Sequence, residues 1–168
     1  MRRHLALVLA AALLLAACKS TSSTASGGAT ATTVAVTDTR APGVTPDAIK
    51  VGVVYYDVSS LYSVLHINNG DWVKAYNAIF DDINAHGGIH GRKLVPDIIG
   101  INPASQTAAD AACVKITQDD KSFVAVGFFL NDNVLCYVNT NATATIGGAQ
   151  TPSRLAQARA PWNTVDAG

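Results

Sequence analysis

The 168-residue sequence predicts an α/β fold, a doubly wound parallel sheet. Three observations carry that reading. Residues 49–56, IKVGVVYY, form a short β-branched and aromatic run of the kind buried on both faces of a sheet. Residues 70–85 then change period, with Trp72, Tyr76, Ile79, Phe80 and Ile83 recurring at the spacing of an amphipathic helix. The change of period repeats, so that strand and helix alternate four times up to the Gly147-Gly148 pair, which favours helices covering a parallel sheet.

Each later element has its own signal. Asp71 stands at the start of the first helix, where the helix dipole favours an anion. Residues 93–99 suit a second strand, and Pro96 within it points to an edge position or a bulge, because proline cannot donate to an inner ladder. Asn102 followed by Pro103 reads as an N-cap and first-turn proline, opening a helix whose inner stripe is Ala109, Ala112, Cys113 and Ile116. Residues 122–129, SFVAVGFF, give a third strand. A short helix over 131–140 carries Leu135, Cys136 and Val138, and residues 143–146 give the fourth strand.

The N-terminus reads as a processing signal. Arg2 and Arg3 precede thirteen apolar residues, 5–17, which as a helix reach only about 20 Å against a hydrocarbon core of roughly 30 Å. That makes residues 1–17 a signal peptide and not a membrane span. The ending Leu15-Ala16-Ala17-Cys18 resembles a bacterial lipobox, which implies lipidation of Cys18 after cleavage and membrane attachment on the extracytoplasmic face of the cell envelope. Residues 20–33 consist wholly of Ser, Thr, Ala and Gly, so the segment 18–46 is expected to be a disordered tether spanning about 30 Å, with the folded part at 47–168.

Charge narrows the partners. Without residues 1–17, ten basic residues face twelve acidic ones, which gives no support to a nucleic acid partner. All twelve acids are aspartate, so motifs that need glutamate, the common zinc-hydrolase helix among them, are excluded.

Residues 83–94, INAHGGIHGRKL, combine His86 and His90 with three glycines and an Arg-Lys pair. A phosphate loop must follow a strand and open a helix, whereas this cluster follows a helix and precedes a strand. A metal shared by His86 and His90 would require both on one helical face, and Gly87, Gly88 and Gly91 interrupt that face. The expectation is a helix C-cap, with Gly87 or Gly88 at positive φ, Ile89 folded back onto the helix end and Gly91 turning the chain into the strand. No metal and no cofactor are expected. His66, His86 and His90 do not fall where a strand end would set them beside a reactive Ser or Cys, and Asp81-Asp82 and Asp119-Asp120 read as solvated pairs. No enzymatic activity is expected.

Three stretches, GVTPDAIKVGVVYY, AYNAIFDDINAHGGIHGRKL and NPASQTAADAACVKITQDDKSFVAVGFF, resemble the N-terminal lobe of the type I periplasmic binding proteins, closest to the branch of receptors for branched-chain amino acids and amides that serve ABC importers. The pattern Ile-Asn-x-x-Gly-Gly-Ile-x-Gly-Arg-Lys at residues 83–93 is its most specific part. The resemblance implies a non-enzymatic, lipid-anchored receptor that presents a small polar solute, amino acid or amide-like, to an ABC permease. A sensor of the same fold feeding a regulatory partner is the alternative. Members of the family have two lobes, so the resemblance also implies that residues 47–168 are a partial first lobe and the chain a fragment.

In open parallel sheets ligands sit beyond the carboxyl ends of the strands. Those ends are Tyr56, Asp57, Ser59 and Ser60 after the first strand, Phe129, Leu130 and Asn131 after the third, and Gly148 and Ala149 after the fourth. By resemblance, Asn131 and the Ala149 backbone are polar contacts, and Tyr56 with Phe129 is the apolar wall. Cys113 and Cys136 remain once Cys18 is lipidated. Export and their places on successive helices favour a disulfide closing a loop of about 24 residues, with two buried thiols as the alternative.

Overall fold

A computed structural model describes residues 41–149 and 151–163. The signal segment, Cys18 and the tether up to residue 40 lie outside the described residues, as does Gln150.

The described chain forms an α/β fold. In order it runs β1 (Ala48–Tyr56), α1 (Tyr62–Leu65), α2 (Trp72–Ala85), β2 (Lys93–Ile101), α3 (Gln106–Val114), β3 (Val124–Gly127), β4 (Ala144–Gly147), α4 (Pro152–Leu155) and β5 (Trp162–Asn163). All five strands are parallel, in the order β2-β1-β3-β4-β5. β5, a two-residue strand beside β4, has no periodicity of its own and was not expected from the sequence.

Strand β1 sorts the core, because successive side chains point to opposite faces. Val51 and Val53 pack with Ile49, Phe80 and Leu94 on the α2 side. Val54 packs with Ala109, Ala112, Cys113, Ile116, Ala125 and Tyr137 on the α3 side. Gly52 lies between them in sequence. A Cβ there would come within 2.4 Å of the Ile116 side chain, so glycine is what lets the end of the α3 segment settle onto the sheet. Ile79, expected in the inner stripe of α2, is 55% exposed; Tyr76, Phe80 and Ile83 form the stripe, and Ile79 falls at its margin.

Pro96 fits without a bulge. The Lys93 N–H donates to Asp47 O and Ile101 O accepts from the Asp57 N–H, so odd-numbered residues of β2 face β1 and Pro96 faces the open edge. Helix α3 begins later than expected. Asn102 makes a turn, with Oδ1 accepting from the Ala104 N–H at 2.9 Å, and Ser105 is the N-cap, with Oγ accepting from the Ala108 N–H at 3.2 Å. The difference arises because asparagine bonds as readily to a turn as to a helix start.

The 83–94 stretch ends α2 in a Schellman arrangement. Gly88 N–H donates to Ile83 O and Gly87 N–H to Asn84 O, with Gly87 at φ 97°. His90 and Gly91, at φ 50° and 79°, then turn the chain between Ile89 and Arg92, which bond to each other in both directions. Ile89 remains 44% exposed and does not bury itself as expected, because this turn holds its backbone. Asn84 fastens the helix end to the sheet: its Oδ1 accepts from the Leu94 N–H at 2.7 Å and its Nδ2 donates to Leu94 O at 2.8 Å.

Two later helical segments share one ending. Lys115–Asp119 and Cys136–Thr140 are π-helical, closed by Asp120 N–H to Lys115 O and by Asn141 N–H to Cys136 O. Lys121 and Ala142 then take positive φ, 52° and 48°, before the chain enters β3 and β4. The segment expected as one helix over 131–140 is therefore a 3₁₀ turn at Asn131–Asn133 followed by a π turn. Cys113 and Cys136 are joined by a disulfide, Cα–Cα 6.3 Å, tying the two segments together. Residues 41–46, counted above with the tether, are part of the fold: Lys50 N–H donates to Gly43 O at 2.8 Å and Val44 bridges Ile49.

Two outcomes follow from this packing. Gly52→Ala should lower stability by about 1–3 kcal/mol in urea unfolding, because buried Ile116 must move. Tyr137 is fully buried, and its hydroxyl has no hydrogen-bond partner. Burial, then the Asp110 charge, raises its pKa above the ordinary 10.0. The phenol is neutral in both states below the unfolded pKa, and stability falls as pH rises past about 10, where the unfolded chain ionises and the fold resists ionisation. Tyr137→Phe should be close to neutral in stability at pH 7 and should lose less stability than the parent chain in an alkaline titration.

Candidate functional site

The strand order reverses at β1: the chain leaves toward β2 on one side and returns to β3 on the other, the kind of position beyond whose carboxyl end open parallel sheets hold ligands. A cleft of about 670 Å³ lies beside the carboxyl end of β1, within the ordinary size of a small-molecule site.

Three side-chain turns build its rim. Asp57 Oδ1 accepts from the Ser59 N–H at 2.9 Å, turning the chain out of β1. A 3₁₀ turn at Ser59–Leu61 and the short α1 follow, closed by His66 at φ 52°. Asn68 Oδ1 then accepts from the Gly70 N–H at 2.8 Å, and Asp71 Oδ1 accepts from the Lys74 N–H at 2.9 Å as the N-cap of α2. Residues of this type form such turns because their short side chains reach the backbone two or three residues on. The result is a loop folded back over the strand end. Tyr55, Tyr56, Asp57 and Ser59 form one side of the cleft, and Tyr62, Ile67, Asn69, Asp71 and Trp72 contribute the rest.

Aromatic rings continue from this cleft across the strand ends. Tyr56 lies 5.6 Å from Phe128, Phe128 lies 6.1 Å edge-on to Trp72, and Trp72 stacks at 5.9 Å on Tyr76. The Tyr56 hydroxyl donates to Phe129 O at 3.2 Å, holding β1 to the loop after β3. At this level Gly127 and Gly147 stand beside each other in the ladder at φ 120° and 117°; a Cβ on Gly127 would meet Val54 O at 2.0 Å. Only glycine allows both strands to turn away here.

Electrostatically the cleft is acidic. Bonds from the Ser59 side chain and backbone hold the Asp57 carboxyl below its ordinary range, so it is ionised at neutral pH. Burial, then the charges of Asp57 and Asp71, pushes the Tyr55 hydroxyl upward, and burial alone does the same for Tyr56 and Tyr76. The lining contains no Lys, Arg or His.

Of the residues expected at the site, Tyr56, Asp57 and Ser59 line the cleft. Ser60 does not; its Oγ accepts from Asn102 Nδ2 at 3.2 Å. Phe129 lies outside the cleft lining, 5% exposed and packed edge-on to Tyr137 at 4.8 Å, while the neighbouring Phe128 is 47% exposed beside Tyr56. Side chains alternate at a strand end, so a one-residue error in register exchanges core for surface. Leu130, Asn131, Gly148 and Ala149 stand at the same sheet edge outside the cleft lining. The Ala149 carbonyl accepts from Arg154 Nη1 at 3.0 Å, and Arg154 pairs with Asp132 at 2.5 Å. Missed altogether were Tyr55, Tyr62, Ile67 and Asn69. The Asn68-Asn69-Gly70 turn signal ahead of an Asp cap was the available clue.

Among the described residues, no group of three or more His, Cys, Asp or Glu side chains is arranged to hold a metal, and no helix is long and apolar enough to cross a membrane. No protein-family model matches the chain, and no curated protein matches it in sequence.

Asp71 contributes to both the helix and the cleft. Asp71→Ala should cost about 1 kcal/mol through the lost cap, and Asp71→Ser should restore most of it in the same urea titration.

Proposed function

We propose that this chain is the solute-binding part of a lipid-anchored, extracytoplasmic receptor that takes a small polar organic solute, amino acid or amide-like, and presents it to an ABC permease. The observation that supports this best is the cleft beside the carboxyl end of β1, the strand at which the sheet order reverses, where β1 and the loop after it offer a ligand both aromatic rings and exposed polar groups. The N-terminal apolar run ending at Cys18 supports the anchor and the location. The lobe fold of type I periplasmic binding proteins belongs to the same proposal. So does the absence of catalysis, because rings, amides and two turn-forming carboxylates suit holding a molecule more than transforming one.

The test uses the processed chain purified from the cell envelope in detergent. Its N-terminal mass should correspond to acylated Cys18. Leucine, valine, short amides and small amines, each titrated to 10 mM on the order of ordinary weak-site affinities, should include at least one that changes Trp72 fluorescence saturably. That change should vanish in Trp72→Phe. A flat response across the whole panel would sink the reading.

A further inference from the structure

We infer that the ligand of this cleft is an organic cation, an amine or quaternary ammonium that carries no carboxylate, held between the Asp57 and Asp71 carboxylates against the Tyr55, Tyr62 and Trp72 rings. This inference rests on the receptor reading above for a small polar organic solute and departs from its amino acid or amide class by giving that solute a positive charge and no carboxylate.

A ligand carboxylate finds its natural partners already taken. The N-terminus of α2 is the anion-attracting feature nearest the cleft, and Asp71 occupies it by accepting the Lys74 N–H. Arg154, near the end of β4, is committed to Asp132 at 2.5 Å and to the Ala149 carbonyl at 3.0 Å. The positively charged or chargeable groups next along the chain, Lys74 and His66, are exposed and lie outside the lining. An anionic group entering here would face two carboxylates with no Lys, Arg or His in the lining; the His66 ring, 6.0 Å from Tyr62, lies on the exposed side.

A cation finds the reverse. Asp57 and Asp71 stand on opposite ends of the rim loop, yet both line the one cleft, and the charges of both reach the Tyr55 hydroxyl. Each uses Oδ1 to fix its own turn. The walls between them are aromatic, and ring faces attract ammonium groups most strongly where water is partly excluded. Aromatic rings with carboxylates and no basic residue form a surface that favours charge of one sign, and a neutral molecule of the same shape gains only the contact with the rings.

Choline and its uncharged isostere 3,3-dimethyl-1-butanol separate these contributions. With the processed chain, choline should bind about tenfold more tightly than the alcohol by Trp72 fluorescence, and its affinity should fall as salt rises. Asp57→Asn and Asp71→Asn keep the turn and the cap, since asparagine forms both. Each should weaken choline about fivefold while leaving the alcohol unchanged, and the urea midpoint of each variant verifies the fold. Equal affinity for choline and the alcohol, or tighter binding of leucine than of choline, would overturn the inference and leave the receptor reading standing. A flat response to every solute would remove both.

Discussion

Everything in this fold depends on β1 being surrounded. It is paired with β2 on one side and β3 on the other, and its alternating side chains fill one core with α2 and another with the α3 segment. A parallel strand in that position cannot be reached by tight hairpins, so the chain must cross over a face each time and re-enter at the amino edge. All loops at the carboxyl edge are thereby separated from all loops at the amino edge. The cleft beside the end of β1 lies on the carboxyl side of that routing, and the disulfide between Cys113 and Cys136 ties α3 to the segment before β4 with about 3 kcal/mol on the chain-entropy view.

What could be read from the sequence was what periodicity controls. The buried runs and the amphipathic stripe of α2 placed four of the five strands and the alternation, because burial on both faces imposes a composition on any such strand. Helix ends were harder. A π turn differs from an α turn by a single shift of hydrogen-bond partner, and nothing in KITQD or CYVNT announces it; the αL residues that follow are Lys121 and Ala142, where the usual glycine signal is missing. The site was only half legible for a related reason. Tyr56, Asp57 and Ser59 follow directly from the strand end, but the opposite wall comes from a loop whose shape is set by Asn68 and Asp71 bonding to their own backbone, which sequence spacing indicates only as a turn. Phe128 and Phe129 show the same limit at one-residue scale.

The stretch INAHGGIHGRKL illustrates how composition misleads and polarity corrects. Its histidines, glycines and basic pair suggest chemistry, yet nearly every fixed residue has a mechanical task. Asn84 ties the helix to Leu94, Gly87 and Gly88 end the helix, and His90-Gly91 reverses the chain. His86 is bonded within its own helix end, Nδ1 donating to Asp82 O at 2.8 Å, and His90 is spent on the turn. All of this lies at the amino edge of the sheet, away from the cleft.

The two edges also differ in how they treat aspartate. Toward the amino edge, burial and then the neighbouring Asp120 raise the Asp97 carboxyl, while Asp97 and then Lys115 lower Asp120. Lys115 is bonded to Asp120 and lies 3.9 Å from Asp97, and Lys50 donates to the Asp120 carbonyl at 3.1 Å. Two ammonium groups thus offset the carboxylate charge locally. Asp57 and Asp71, at the carboxyl edge, have backbone donors in place of cations and face a common cleft. Charge left uncompensated beside a cavity costs stability unless something else offsets it. Asp132, at the same carboxyl edge, is balanced by Arg154, so the unbalanced pair is confined to the cleft, where an outside cation supplies the missing charge.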